Sequence, residues 1–154
     1  MISICGIDPG KQGGLAFKDG NKVQAVSFTK LTKPEIAYTL REFMPQKVYL
    51  EKAQPMRKPA KKGKQGPPQG VVSAFTYGEG FGHLKGILDT LGIPYELITP
   101  RTWQTALNCL TGGDKNVSKT KAQQLFPMVP KITHYIADAL LIMEYGCRLE
   151  KQGE

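Results

Sequence analysis

Three acidic residues interrupt segments that otherwise have the composition of a buried core. Asp8 ends the N-terminal apolar run, Glu51 lies near the end of the apolar run VYLEK, and Asp138 lies inside IADALLIM. Acidic side chains are rarely fully buried unless they are paired or bind a metal. If the fold brings the three together, they repel one another unless a hard cation such as Mg²⁺ or Mn²⁺ neutralises them. Two such ions can hold and hydrolyse a phosphodiester, so the pattern predicts a metal-dependent nuclease site.

Each acidic residue, taken alone, also has an ordinary structural interpretation. Asp8 directly precedes Pro9-Gly10, a combination typical of a turn. Glu51 has lysines nearby with which it could form an ion pair, and Asp138 could face solvent. Taken together and in this order along the chain, the three residues make these separate explanations much weaker.

A histidine lies four residues before the last of these carboxylates. His134 and Asp138 share a face if their segment is helical. The imidazole is a candidate fourth metal ligand, and it could instead shuttle a proton or position water. The ordinary alternative, a helix cap or surface residue, stays open.

The segments that carry these residues predict an α/β fold in one domain spanning residues 1–154. Turn signals and apolar runs predict strands in ISICGID, GLAFKD, KVQAVSF, KVYLEKA and YELIT, with a hairpin turn at Asp19-Gly20. Helices are predicted between Thr32 and Pro45 and over residues 71–91, 100–107, 117–126 and 133–149. A hairpin followed by alternating helices and strands predicts a mixed sheet covered by helices.

The overall composition favours a nucleic-acid partner. The 154 residues carry a net charge of +8, which suggests a polyanion, with nucleic acid ahead of an acidic membrane. No apolar stretch approaches the roughly 20 residues that span a bilayer, so no membrane association is expected. Cys5, Cys109 and Cys147 are odd in number and far apart, which favours packed thiols and a reducing cytoplasm.

Two groups of basic residues are candidates for phosphate contacts. The segment at about 54–70 is rich in Pro, Gly and Lys, so it is predicted to be a mobile loop. Its candidate DNA-binding cations are Arg57, Lys58, Lys61, Lys62 and Lys64. The second group consists of Lys115, Lys119 and Lys121, of which the first two are the preferred partners of a scissile phosphate. The alternative is that the loop cations only promote solubility.

The long predicted helix carries Gly78, Gly82 and Gly86 at fourfold spacing. Glycine costs about 1 kcal/mol relative to alanine inside a helix, so three on one face need a reason. They predict the close approach of another backbone, either that of the protein's own sheet or that of another chain. Phe75 and Trp103 could stack on bases, but both fit the core side of their helices better.

Four motifs follow one another along nearly the whole chain: GIDPG, YLEKA, SAFTYGEGFG and HYIADALLI. In this order they resemble the RuvC family of Holliday junction resolvases, within the RNase H-like superfamily. ELITPRTWQTAL and the HxxADA pattern at His134 resemble the phage-type branch of that family. GIDPG alone is a weak motif, and the combination carries the resemblance.

The resemblance implies an RNase H-like mixed five-stranded sheet flanked by helices, and a homodimer to which the glycine-bearing helix contributes. It implies cleavage of two strands at a four-way DNA junction with Mg²⁺ or Mn²⁺, two ions per active site, in the cytoplasm of the host if the chain is phage-encoded. Asp8, Glu51 and Asp138 are then catalytic metal ligands. His134 is the available fourth ligand, because Tyr135 stands one turn before the last aspartate.

Other functions stay open at this point. Some relatives place an aromatic wedge shortly after the catalytic glutamate, whereas Gln54, Pro55 and Met56 follow it here, with Met56 the candidate wedge. A nuclease for flaps, forks or structured RNA is one alternative. A junction-binding protein that does not cut is another, although the intact acidic residues argue against it.

Overall fold

A computed structural model describes residues 2–54 and 70–153 of the chain. Its strands are β1 (Ile4–Asp8), β2 (Gly14–Asp19), β3 (Lys22–Ser27), β4 (Lys47–Glu51) and β5 (Tyr95–Ile98). Its α-helices are α1 (Lys33–Phe43), α2 (Val71–Leu91), α3 (Pro100–Ala106), α4 (Lys115–Leu125) and α5 (His134–Gln152). A short 3-10 helix, Phe28–Lys30, joins β3 to the loop before α1.

The five strands form one sheet in the order β3-β2-β1-β4-β5. β1, β2 and β3 pair antiparallel, as the predicted hairpin requires, whereas β1, β4 and β5 run parallel. The carboxyl ends of three neighbouring strands therefore meet at one edge. The predicted mixed five-stranded sheet flanked by helices is confirmed.

Helices cover both faces of the sheet and form a hydrophobic core on each. Successive strand residues point to opposite faces. Ile4 packs in the core under α3, α4 and α5, whereas Cys5 and Ile7 pack in the core under α1 and α2. By the same alternation Gly6 and Asp8 face α5. The first of the candidate catalytic residues is thus directed to the side of the sheet that carries Asp138.

Helix α5 rests directly on β1 because β1 has no side chain at the crossing point. A Cβ added at Gly6 would overlap backbone atoms of Ala139 and Met143. Gly146 makes a similar approach to the ring of Tyr49 on β4. These two contacts determine how closely α5 approaches the sheet, and therefore how close Asp138, next to Ala139, comes to the strand ends.

Gly6→Ala is expected to lower the free energy of unfolding by on the order of 3 kcal/mol, because the added methyl group would meet rigid backbone that must move away. Urea denaturation of the purified variant measures this loss. Gly80→Ala, on the opposite side of α2 from the other helix glycines, is the matched control, since outside its own helix backbone a Cβ there meets no heavy atom of the described chain within 4 Å. The control is expected to be neutral or slightly stabilising. Equal stability of the Gly6→Ala variant and the wild type would contradict the tight crossing.

The element boundaries differ from the predicted ones by a few residues. Helix α4 begins at Lys115 rather than at residue 117, because the Asp114 side chain accepts a hydrogen bond from the Asn116 backbone and caps the helix there. Strand β4 ends at Glu51 and does not continue to Ala53. A capping box between Thr32 and Glu35 begins α1, where the sequence predicts the start of a helix. The three cysteines are free and buried, as predicted.

The structure tests the predictions that Trp103 and Phe75 lie on the core side of their helices. Trp103 is fully buried, which confirms its place in the core, but Phe75 is 72% exposed, so the prediction that it packs in the core is wrong. The glycines of α2 do not pack on the protein's own sheet. Outside its own helix backbone, no heavy atom of residues 2–54 or 70–153 lies within 4 Å of a Cβ added at Gly78, Gly82 or Gly86. Among the described helices, none is long and apolar enough to cross a membrane.

Candidate active site

The ends of β1 and β4 bring two acidic side chains next to each other. Asp8 is the last residue of β1 and Glu51 the last of β4, and the parallel register pairs Ile7 with Leu50 immediately before them. Glu51 follows Tyr49 by two residues, and Tyr49 packs in the core under α5. Both carboxylates therefore point to the side of the sheet that α5 covers.

Asp138 completes the group from the second turn of α5. Its charge raises the pKa of both Asp8 and Glu51, and the charge of Asp8 also raises that of Glu51. We name Asp8, Glu51 and Asp138 the acidic cluster. The structure thus brings together the three residues that the sequence singled out, while their catalytic role stays a prediction.

Burial and mutual repulsion make the acidic cluster hold its protons strongly. Burial, followed by the charge of Asp138, raises the pKa of Asp8 to about 6. Burial, followed by the charge of Asp8, raises the pKa of Glu51 to about 8. Burial also raises the pKa of Asp138. Since like charges are costly in a site shielded from water, the cluster favours either protons or a bound cation.

Each carboxylate of the acidic cluster also accepts one hydrogen bond that orients it. The Gly10 backbone donates to Asp8 Oδ1 over 3.2 Å, and Trp103 Nε1 donates to Glu51 Oε2 over 2.8 Å. The Ser118 hydroxyl donates to Asp138. The Gly10 bond is an Asx-type turn, so the turn interpretation of Asp8 holds together with its place in the cluster.

The predicted basic and histidine residues differ in which members of the acidic cluster their charge affects. The charge of Lys115, the first residue of α4, lowers the pKa of both Asp8 and Asp138. The charge of His134, the exposed first residue of α5, also acts to lower the pKa of Asp138. The charge of Lys121 acts instead to lower the pKa of Cys109, which burial raises. Lys119 lies one turn after Lys115 on the same helix.

The other predicted DNA contacts lie outside the described residues. They are Arg57, Lys58, Lys61, Lys62 and Lys64, together with the candidate wedge Met56. Only the two end residues of the loop at 54–70 are described, so its mobility stays a prediction.

The structure adds three residues that the sequence did not assign to the site. Trp103 and Ser118 orient carboxylates of the acidic cluster. Tyr77 of α2 is close enough that Glu51 and Asp8, in addition to burial, raise its pKa to about 12. Beside it, a cleft of about 580 Å³ separates α2 from the turn after β1. Of the three, only Trp103 is considered in the sequence analysis, where it is predicted to lie in the core.

The donor atoms of the acidic cluster fit a hard divalent cation. All three side chains offer carboxylate oxygens, and their pKa values are raised by burial and, for Asp8 and Glu51, also by the charge of neighbouring carboxylates. Within residues 2–54 and 70–153, no three His, Cys, Asp or Glu side chains are already gathered into a metal cage. The chemistry of the three carboxylates suits Mg²⁺ or Mn²⁺.

Comparison with solved structures finds RuvC of Thermus thermophilus. One structure of that protein matches with a TM-score of 0.62 at 19% identity, covering 99% of this chain and 97% of that one. A second, T. thermophilus RuvC in complex with a Holliday junction substrate, matches with a TM-score of 0.66 at 16% identity and the same coverages, 99% and 97%. The predicted RuvC-like fold is confirmed, and the phage-type branch stays a prediction. No family model and no curated protein sequence matches the chain.

Proposed function

We propose that this protein is a divalent-metal-dependent, structure-selective DNA endonuclease that resolves four-way junctions by paired phosphodiester hydrolysis. The observation that carries the proposal is the acidic cluster, three partly buried carboxylates of which two end neighbouring strands and one lies on helix α5 of a RuvC-like fold. The net charge of +8 supports a polyanionic substrate. The neighbour solved with a Holliday junction supports four-way DNA as the first substrate to test.

Asp8, Glu51 and Asp138 would hold Mg²⁺ or Mn²⁺, with His134 as the candidate fourth ligand. When bound, such ions neutralise charge on the phosphate and lower the pKa of water. Mg²⁺ commonly combines one or two carboxylates with substrate phosphate oxygens.

The chain's own groups would bind and orient the scissile phosphate. Lys115 carries an exposed ammonium group beside two members of the acidic cluster, where it can attract a phosphate and stabilise the negative charge that grows during hydrolysis. His134 lies beside Asp138 at the protein surface, where its imidazole can give a proton to a departing oxygen or take one from water.

A substrate panel tests this function. Four-way junctions, three-way junctions, flaps and structured RNA should be incubated with the protein and Mg²⁺ or Mn²⁺, and the products resolved on denaturing gels. We expect symmetric nicks in two strands of the four-way junction and slower cleavage of the others. Preferred cleavage of flaps or RNA would replace the junction assignment. Tight junction binding without cleavage under any metal condition would favour a non-cleaving binder.

A second copy of the chain is proposed as the partner of α2. Val71 and Phe75 are 85% and 72% exposed, and helical spacing places them on the same face as the open glycines at 78, 82 and 86. An exposed apolar helix face with glycines at its centre allows two helices to approach closely. A two-fold dimer formed there would present two active sites to a junction that is itself nearly two-fold symmetric.

Gly82→Leu is expected to weaken the dimer at least tenfold without weakening the fold of the protomer. The added side chain has open space within the described chain, and leucine is the better helix former. Sedimentation velocity measures the dimer, and urea denaturation measures the fold. Asp19→Leu, in the exposed hairpin turn, serves as a control for added surface hydrophobicity. A Gly82→Leu protein that dimerises like the wild type would refute this interface.

A further inference from the structure

The only tryptophan of the chain is bonded to a member of the acidic cluster. Trp103 lies in α3, is 0% exposed, and donates from Nε1 to Glu51 Oε2 over 2.8 Å. Helix α3 starts immediately after β5, whose last residue, Ile98, pairs with Glu51. The position of the indole is therefore determined by the strand next to the one that carries the glutamate.

The short helix that carries Trp103 is held at both ends. At its start, Thr99 accepts a hydrogen bond from the Thr102 backbone, and Pro100 occupies the first helical position. At its end, the Leu107 backbone donates to the carbonyl of Trp103 over 3.0 Å. These bonds hold the backbone of α3, and the complete burial of the indole restricts its side-chain rotamer, as an orienting group requires.

A buried indole N–H needs an acceptor, but a core tryptophan does not need a charged one. Here the acceptor is a carboxylate whose charge already costs energy through burial and through repulsion by Asp8. The bond to Trp103 engages Oε2 and limits rotation of the carboxyl group.

We propose that Trp103 is a positioning residue, whose indole N–H holds Glu51 so that the carboxylate is oriented for a divalent cation before the cation arrives. The inference rests on the proposed metal-dependent function. Groups that orient metal ligands typically contribute 10- to 100-fold to metal affinity or activity. Trp103 would thus act through Glu51 and would not touch the substrate.

Replacing Trp103 with 3-benzothienylalanine tests the N–H alone, because sulfur takes the place of the N–H in a ring of nearly the same shape. The single tryptophan makes the replacement specific to this site. We expect calorimetric Mn²⁺ titrations to show about tenfold weaker binding by the analogue protein than by the wild type. On junction DNA, kcat should fall while KM changes little. Trp103→Phe should show the same loss of metal affinity, and it covers the case in which the analogue protein does not fold.

Leu107→Ala controls for damage to the core around α3. Leu107 is 1% exposed in the same core, and its aliphatic side chain has no group that could hydrogen-bond to a carboxylate. This variant should unfold at a lower urea concentration and bind Mn²⁺ as the wild type does. Unchanged Mn²⁺ affinity in the analogue and Trp103→Phe proteins would overturn the positioning role, even if the wild type cuts junctions. Weakened Mn²⁺ binding in a protein that cuts no junction would support the positioning role and overturn the nuclease proposal.

Discussion

Asp8→Asn is expected to slow cleavage of a four-way junction by roughly 10³-fold or more, because metal ligands contribute several kcal/mol of transition-state stabilisation. The substitution keeps the size of the side chain, and the amide oxygen can still accept the hydrogen bond from Gly10. It removes one of the negative charges that would hold the cations. Binding to the junction should therefore stay within a few-fold of the wild type, or become tighter, while the chemical step is lost. Single-turnover cleavage and gel-shift titration measure the two quantities separately.

Asp19→Asn is the matched control for this substitution. Asp19 ends β2 in the exposed hairpin turn, so the same chemical change there should leave cleavage unaffected. Wild-type cleavage by Asp8→Asn would remove the acidic cluster from the mechanism. Loss of junction binding together with cleavage would instead show that Asp8 supports the fold of the turn more than the chemistry.

The acidic cluster could be predicted from the sequence because its placement follows from local rules. Apolar runs that end in a carboxylate indicate strand ends, and parallel strands bring their carboxyl ends to the same edge. Asp8 and Glu51 meet for this reason. Asp138 could be added to this group because an acidic residue inside an apolar helix is rarely buried in a hydrophobic core without a partner. The mixed five-stranded sheet was implied by the resemblance to the RuvC family, whereas its strand order is known only from the structure.

The groups that orient the acidic cluster could not be predicted in this way. Trp103 and Ser118 reach their carboxylates across distances of 52 and 20 residues in sequence, and no periodic pattern links them. Trp103 fits a core position and is one, so composition gives no sign of its second contact. Ser118 is a polar residue that is 3% exposed, and only the packing of α4 on α5 shows why.

The exposed face of helix α2 could not be predicted from the sequence for a related reason. An apolar helix face has the same residue pattern whether it packs against the protein's own core or remains open for another chain. Phe75 was therefore assigned to the core, although the described chain leaves it exposed. The glycines on that face were interpreted both ways, and only the open space around them excludes the protein's own sheet as the partner.

Glu51→Gln is expected to stabilise the metal-free protein at pH 8 by on the order of 3 kcal/mol, although it removes a residue of the proposed active site. The pKa of Glu51 rises from 4.5 to about 8 on folding, through burial and the charge of Asp8. The folded state therefore binds a proton that the unfolded state releases. This contribution to stability is complete below pH 4.5 and is lost as the pH rises through about 8. Asp8 adds a loss in the same direction between 3.8 and about 6.

Urea denaturation at pH 5 and pH 8, with a chelator present, measures this effect. The wild type should lose stability between the two values, whereas Glu51→Gln, which can still accept the bond from Trp103, should lose less. Glu42→Gln, at a side chain that is 58% exposed, is the control and should follow the wild type. Adding Mn²⁺ at pH 8 should restore the wild type but not Glu51→Gln, because a cation that binds only the folded state stabilises it. A Glu51→Gln protein less stable than the wild type at pH 8 would mean that the charge of Glu51 does not destabilise the folded state. The electrostatic argument for a metal at this site would then be wrong.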